Sequence, residues 1–193
     1  MKSIKSLRAD AALNREKILS AAEKAFSQCG VHASLDLVVK ESGVGKGTLY
    51  RHFPDRIALV SALFDREVDA VIAYGESLPP EKALGSMLEY LASIADRTPA
   101  LASSWRVIPE DHPAYKNSRR MLYDKFRPFY ERARASGQFR TDLTLLDLVL
   151  VIRLIAIPVS GEDGKSRGIR TLQLLMQGIS YQERDEDGAD KVR

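Results

Sequence analysis

The spacing of apolar residues limits the fold more than any other feature of this chain. From Arg15 to Cys29 they stand at Ile18, Ala22, Ala25, Phe26 and Cys29, one stripe of a 3.6-residue helix, and Gly30 follows where a C-terminal glycine belongs. Ser34 is placed to cap a second, short helix through Lys40, with Asp36 in its first turn, and Gly43 breaks it. A third fits Lys46 to His52, stopped by Pro54. Asp55 can cap a fourth, with Ile57, Val60, Leu63, Phe64, Val68, Val71 and Ile72 on its apolar face. The polar turn ESLPPE at 76–81 divides the chain into two parts. Further helices fit 80–96, 99–107, 113–136 (kinked at Pro128), 143–157 and 166–180. No segment alternates as a strand does, and there is no internal repeat. The expected class is all-α.

Composition narrows the setting. With 193 residues the chain makes one domain or two small ones. The single cysteine, Cys29, excludes an intramolecular disulfide and argues against a thiolate metal site. The first fourteen residues hold no apolar stretch of signal-peptide length. The longest apolar run, Leu148 to Ile157, is interrupted by Arg153 and falls short of the ~20 residues of a membrane span. A soluble cytoplasmic protein is expected, with no membrane partner and no cofactor. Net charge is +3, but residues 1–56 hold ten Lys/Arg against six Asp/Glu, and the remainder is slightly acidic. The N-terminal third is therefore where an anionic partner would bind.

Within that third, SGVGKGTLYRHF at 42–53 admits two phosphate-binding readings. Gly45, Lys46, Gly47 and Thr48 match the end of a nucleotide phosphate loop. That loop also needs a buried strand before it and a glycine five positions ahead of Gly45, where Lys40 stands. The alternative is a helix-turn-helix, whose second helix lies in a DNA major groove with its N-terminal residues nearest the bases. Two glycines flanking a lysine cost a helix roughly 1 kcal/mol each relative to alanine. They are understandable where backbone must approach a phosphate or base. Lys46, Thr48, Tyr50, Arg51 and His52 can all bond DNA, while Leu49 and Phe53 face inward. Arg56 begins the fourth helix, where the helix dipole disfavours a cation unless a phosphate is near.

Three stretches, REKILSAAEKAF, ASLDLVVKESGVGKGTLYRHF and DRIALVSAL, resemble the N-terminal domain of TetR-family transcriptional regulators from Arg15 to Leu63. GQFRTDLTLLDL at 137–148 is similar to a subset with an SbtR-like C-terminal domain. The resemblance implies an N-terminal three-helix helix-turn-helix domain followed by a helical ligand-binding and dimerisation domain. It implies a bacterial or archaeal homodimeric repressor, released from a near-palindromic operator in double-stranded DNA by a small, largely apolar effector. Carried over by position, Ser34, Lys46, Gly47, Thr48, Tyr50, Arg51, His52 and Arg56 are the DNA-binding candidates. Val39, Leu37 and Ile57 depart from the residues usual in the family. The expected divisions are a flexible basic arm at 1–14, the DNA-binding domain at 15–56, the effector and dimerisation domain at 57–181, and a disordered tail at 182–193.

In the second half, Leu143–Ile157 is apolar on nearly every side, and a helix of that kind must be buried on every side. A second copy of the chain could cover what one copy leaves exposed. The interface candidates are Leu145, Val149, Ile152, Leu172, Leu175 and Ile179, with a central core helix of a monomer as the alternative. Met87, Leu91, Trp105, Met121, Phe126, Tyr130 and Arg153 are candidate effector contacts, though aromatics and methionines at helical spacing also serve as plain core. Arg153 suits an ion pair or an anionic ligand group. A DNA-binding regulator without an effector is the second reading. A hydrolase using Glu110 and Asp111 is a remote third, since no nucleophile motif or metal-ligand spacing supports an enzyme.

Overall fold

The computed structural model describes residues 4–30, 32–95, 108–109, 111–155 and 164–179. Among them are eight helices: α1 (Ile4–Cys29), α2 (Leu35–Ser42), α3 (Lys46–His52), α4 (Arg56–Glu76), α5 (Pro80–Ala95), α6 (Pro113–Ala135), α7 (Leu145–Ile155) and α8 (Gly164–Ile179). The class is all-α, as the periodicity predicts. The helix expected at 99–107 and the tail at 182–193 lie outside the described residues. None of the described helices is long and apolar enough to cross a membrane.

α1 starts eleven residues earlier than the apolar stripe implies. Residues 4–14, expected as part of a flexible arm, are helical. Ala9, Ala11, Ala12 and Leu13 are strong helix formers, so propensity carries the helix beyond the residues that core packing recruits. Ile18, Ala22, Ala25 and Phe26 are buried as their spacing predicts, but Cys29, at the last helical position, is exposed. The predicted N-caps hold: Ser34 Oγ accepts the Asp36 N–H at 3.1 Å, and Asp55 Oδ1 accepts the Ala58 N–H at 2.8 Å. α6 runs through Pro128 without ending.

Apolar residues gather in two clusters. The first joins α1, α2 and α3 to the start of α4 through Ile18, Leu19, Val38, Leu49, Leu59 and Leu63, and also takes in Ile108 and Tyr115 from the second half. The second joins the rest of α4 to α5–α8, around Val71, Met87, Leu122, Phe126, Leu148 and Ile155. α4 thus belongs to both. Within the second cluster Gly75 allows close packing of α4, α5 and α6. A Cβ there would stand 2.8 Å from Met87 Cγ and 2.9 Å from Phe129 Cε1.

The segment 137–148 is a built turn. Arg140 Nη2 and Asp142 Oδ2 pair at 2.7 Å, and the Tyr130 hydroxyl donates to the Leu143 carbonyl at 2.5 Å. Thr144 and Asp147 cap α7 reciprocally: the Thr144 N–H donates to Asp147 Oδ2 at 2.8 Å, and the Asp147 N–H donates to Thr144 Oγ1 at 3.2 Å.

α7 corrects the expected interface. Val149 and Ile152, with Leu172 on α8, are buried in the chain's own second cluster. Leu145 and Leu175 are half-buried against it, and the Ile179 side chain lies outside the description. The apolar surface left open is instead Leu146 at 54% exposed, Leu150 at 52% and Leu154 at 38%; Ile169 and Leu174 on α8 are exposed as well. α7 is apolar on nearly every side, with Asp147 and Arg153 as its only charged residues. At about 100° per residue, 146, 150 and 154 share one arc and 148, 151, 152 and 155 the opposite one.

α4 also carries a half-buried polar patch. Ser61 Oγ and Asp65 Oδ1 are buried without a hydrogen-bond partner among the described residues. Burial pushes the Asp65 carboxyl above the usual range and Asp69 adds to it, against the opposing pull of Lys125, Arg15 and a Ser118 hydrogen bond. Burial, then Glu23, raises Glu67 as well, with Arg66 opposing. A carboxyl whose folded pKa lies above its unfolded value weakens the fold when ionised. Stability should therefore rise as pH falls through the folded values towards the unfolded ones. Asp65→Asn should raise the urea midpoint at pH 7 and shrink that acid gain, which urea titrations at pH 7 and pH 5 measure.

Candidate nucleic-acid interface

The stretch that the sequence leaves between two readings is a helix, a glycine turn and a second helix. α2 ends at Gly43, whose φ of 67° is left-handed and suits glycine. Its N–H returns to the Val39 carbonyl at 3.2 Å. The Ser42 hydroxyl donates to that carbonyl at 3.1 Å and accepts the Val44 N–H at 3.4 Å, so the turn is fixed by its own bonds. Gly45 is the N-cap of α3, and its carbonyl accepts from Thr48 and Leu49 at 2.9 and 3.1 Å. Among the described residues no strand precedes the Gly-Lys-Gly-Thr run. Residues 35–42, where a phosphate loop needs one, are helical.

Leu49, fully buried, and Phe53 pin α3 to the first cluster, as their spacing predicts. Lys46, Gly47, Tyr50 and Arg51 are exposed on the outer side, and Thr48 and His52 are half-buried. Ser34 is exposed and serves as the α2 cap. Neither Gly45 nor Gly47 has a positive φ, and a Cβ on either would meet nothing within 4 Å. The chain's own packing therefore does not ask for these two glycines.

Two of the basic candidates are already engaged. Lys46 Nζ lies 2.7 Å from Asp36 Oδ1, and this hydrogen bond holds the ammonium above its ordinary pKa. Both partners are well exposed, so water screens the pair and an incoming anion can exchange for Asp36. The Arg56 guanidinium lies 5.8 Å from the centre of the Phe26 ring, which steadies the start of α4 against α1. Arg15 on α1 lies over the Phe53 ring at the end of α3, 5.5 Å from its centre. Arg66 clamps α4 to α1 through Glu23 at 2.6 Å. Sequence reasoning misses Asp36 as the Lys46 partner because a turn of unknown geometry separates them.

The effector candidates divide. Met87, Leu91, Met121, Phe126 and Tyr130 do come together in the second cluster, with Met87 and Phe126 fully buried. Trp105 lies outside the described residues. Arg153 stands apart, 6.0 Å over the Tyr115 ring and not in an ion pair with a described carboxylate. Of the remote hydrolase candidates, Glu110 lies outside the described residues and Asp111 is exposed. Neighbouring His112 uses Nδ1 to accept the Ala114 N–H at 3.1 Å as the α6 cap. No group of three or more His, Cys, Asp or Glu among the described residues could hold a metal ion.

The family model for bacterial regulatory proteins of the tetR family matches residues 18–63, the span from α1 to the first turns of α4. A helix-turn-helix-type transcriptional regulator of Staphylococcus aureus (strain USA300) is 41% identical over 69 residues, 35% of this chain and 37% of that protein. The match thus spans little more than a third of that relative. The crystal structure of a TetR transcriptional regulator from Streptomyces coelicolor is similar throughout, at 31% identity and a TM-score of 0.62, covering 86% of this chain and 98% of that one. FadR from Bacillus subtilis, solved in complex with stearoyl-CoA, shares the fold at 18% identity and a TM-score of 0.63, over 85% of this chain and 98% of its own. These relatives are regulators, not enzymes. The chain belongs to the TetR family of transcriptional regulators.

Proposed function

We propose that the protein is a homodimeric DNA-binding repressor that reads a near-palindromic operator with α3 and is released by a small, largely apolar effector. The observation that carries the DNA reading is the outer side of α3. Gly45 at its N-cap and Gly47 within it are not required by the chain's own packing, and they stand beside Lys46, Tyr50 and Arg51. Glycine there lets the helix N-terminus and its backbone N–H groups approach a phosphate. Lys46, released from Asp36, would reach a base edge. Ser34, Thr48, Tyr50, His52 and Arg56 would bond phosphates, with Arg51 beside them. Residues 15–56 would form the DNA-binding unit and 57–181 the dimer and effector unit, with α4 shared between them.

Gly47→Ala separates this from a structural reading. Alanine should stabilise the exposed helix by about 1 kcal/mol. It should also weaken binding to operator duplex several-fold by keeping the backbone off the DNA. Urea unfolding and fluorescence anisotropy on one preparation measure both. Unchanged affinity would refute close backbone approach.

The dimer reading rests on the open apolar arc of Leu146, Leu150 and Leu154, with a second copy as its occupant. The effector reading rests on the second cluster, where half-buried Leu91 and Met121 border Met87, Phe126 and Tyr130. The acyl-CoA bound by FadR of B. subtilis supports an apolar ligand class for this fold. A regulator without an effector is the second reading, favoured by the tight packing at Gly75. A thermal-shift screen of fatty acids and aromatic compounds, followed by operator release, distinguishes the two.

A further inference from the structure

Arg153 is the one cation on the described α7, and its place on the helix is unusual. At about 100° per residue, position 153 falls on the arc of Leu146, Leu150 and Leu154, the open apolar face. It is exposed, and its guanidinium lies 6.0 Å over the ring of Tyr115.

Tyr115 is in the first turn of α6, yet it is buried in the first cluster, with α1, α2, α3 and the start of α4. Ile108 is buried there too, and Ala114 packs against the same cluster. The His112 cap and Pro113 at the helix start fix the direction from which Tyr115 enters. α7 itself packs on α5, α6 and α8, all in the second half. The guanidinium on Tyr115 therefore joins the open face of α7 to the core that supports α3. A close-packed core moves as a body, so a ring wedged into it carries displacement to α3.

We propose that Arg153 and Tyr115 form a strut that sets the separation of the two α3 helices in the dimer, making Arg153 a positioning residue for half-site spacing. This rests on the dimeric DNA-binding reading above. A dimer built on the α7 face places one strut on each side of the two-fold axis. Each strut fixes its own reading head relative to the dimer face. Loss of the strut lets the heads swing, so operators with altered spacing are no longer penalised.

The test uses the full-length dimer and duplexes that the wild-type protein selects from a random pool, remade with the half-sites moved one or two base pairs closer or farther. Arg153→Met keeps the stem and removes the charge, and Arg153→Lys keeps the charge. Tyr115→Leu removes the ring, and Tyr115→Phe keeps it. Wild type should prefer the native spacing. Arg153→Met should stay dimeric by sedimentation, lose about three- to tenfold affinity for the native spacing, and bind the altered spacings nearly as well. Arg153→Lys and Tyr115→Phe should restore the preference, and a folded Tyr115→Leu should behave as Arg153→Met does. A dimeric Arg153→Met with the wild-type spacing profile overturns the strut while leaving the dimeric reading intact. A wild-type protein that is monomeric, or that selects no DNA, overturns that reading and the strut with it.

Discussion

Leu150→Glu combined with Leu154→Glu should yield a folded monomer that no longer holds its operator. Both side chains sit on the open arc of α7, outside the chain's own core, so the charges face water in a single copy. In a dimer they would be buried against their symmetry mates, and unpaired carboxylates in an apolar interface cost several kcal/mol each. A monomer carries one reading head. Linking two heads raises affinity by about 10²–10⁴-fold through effective concentration alone, and that is the expected loss. The salt dependence of binding should also flatten by about half, because half the phosphate contacts are gone. Sedimentation equilibrium and circular dichroism check assembly and fold, and anisotropy checks affinity. A fully dimeric double variant would rule out this face. Val149→Glu or Ile152→Glu should instead unfold the second cluster, in which both residues are buried.

Lys46→Ala should cost about 1–3 kcal/mol of operator binding and relax preference at one base pair in each half-site, if the lysine reaches a base edge. Arg56→Ala makes the contrast. A phosphate contact carries no sequence information, so its loss should weaken all duplexes alike and reduce the salt slope by about one unit. Asp36→Asn should act opposite to Lys46→Ala. It removes the carboxylate 2.7 Å from Lys46 Nζ and frees the ammonium for DNA. Anisotropy across operator variants at two salt concentrations separates these outcomes. Wild-type binding in both alanine variants would show that α3 is not the reading helix.

Much of this architecture is written in local chemistry. Ser34, Gly43 and Asp55 act within a few residues of where they stand, so the ends of α2 and α4 and the turn before α3 follow from the sequence. The inward pair Leu49 and Phe53 follows from a spacing of four. What the sequence hides is orientation between elements. α7 is apolar on nearly every side, so Val149 and Leu150 look equivalent until α5, α6 and α8 cover one of them. The helical start of α1 escapes an apolar-stripe argument because alanine propensity, not burial, extends it. The Lys46–Asp36 pair and the stacking of Arg153 on Tyr115 join residues 10 and 38 positions apart, and no periodicity encodes such meetings.

The central claim is that α2, the Gly43 turn and α3 form one of two symmetry-related reading heads for DNA. Selection of duplexes from a random pool by the purified full-length protein, followed by sequencing, tests it most directly. The account predicts enrichment of an inverted repeat whose half-site centres lie about one helical turn or more apart, with enrichment lost in Lys46→Ala and in the α7 double variant. A pool that stays random, or an enriched motif that Lys46→Ala selects equally well, would contradict it.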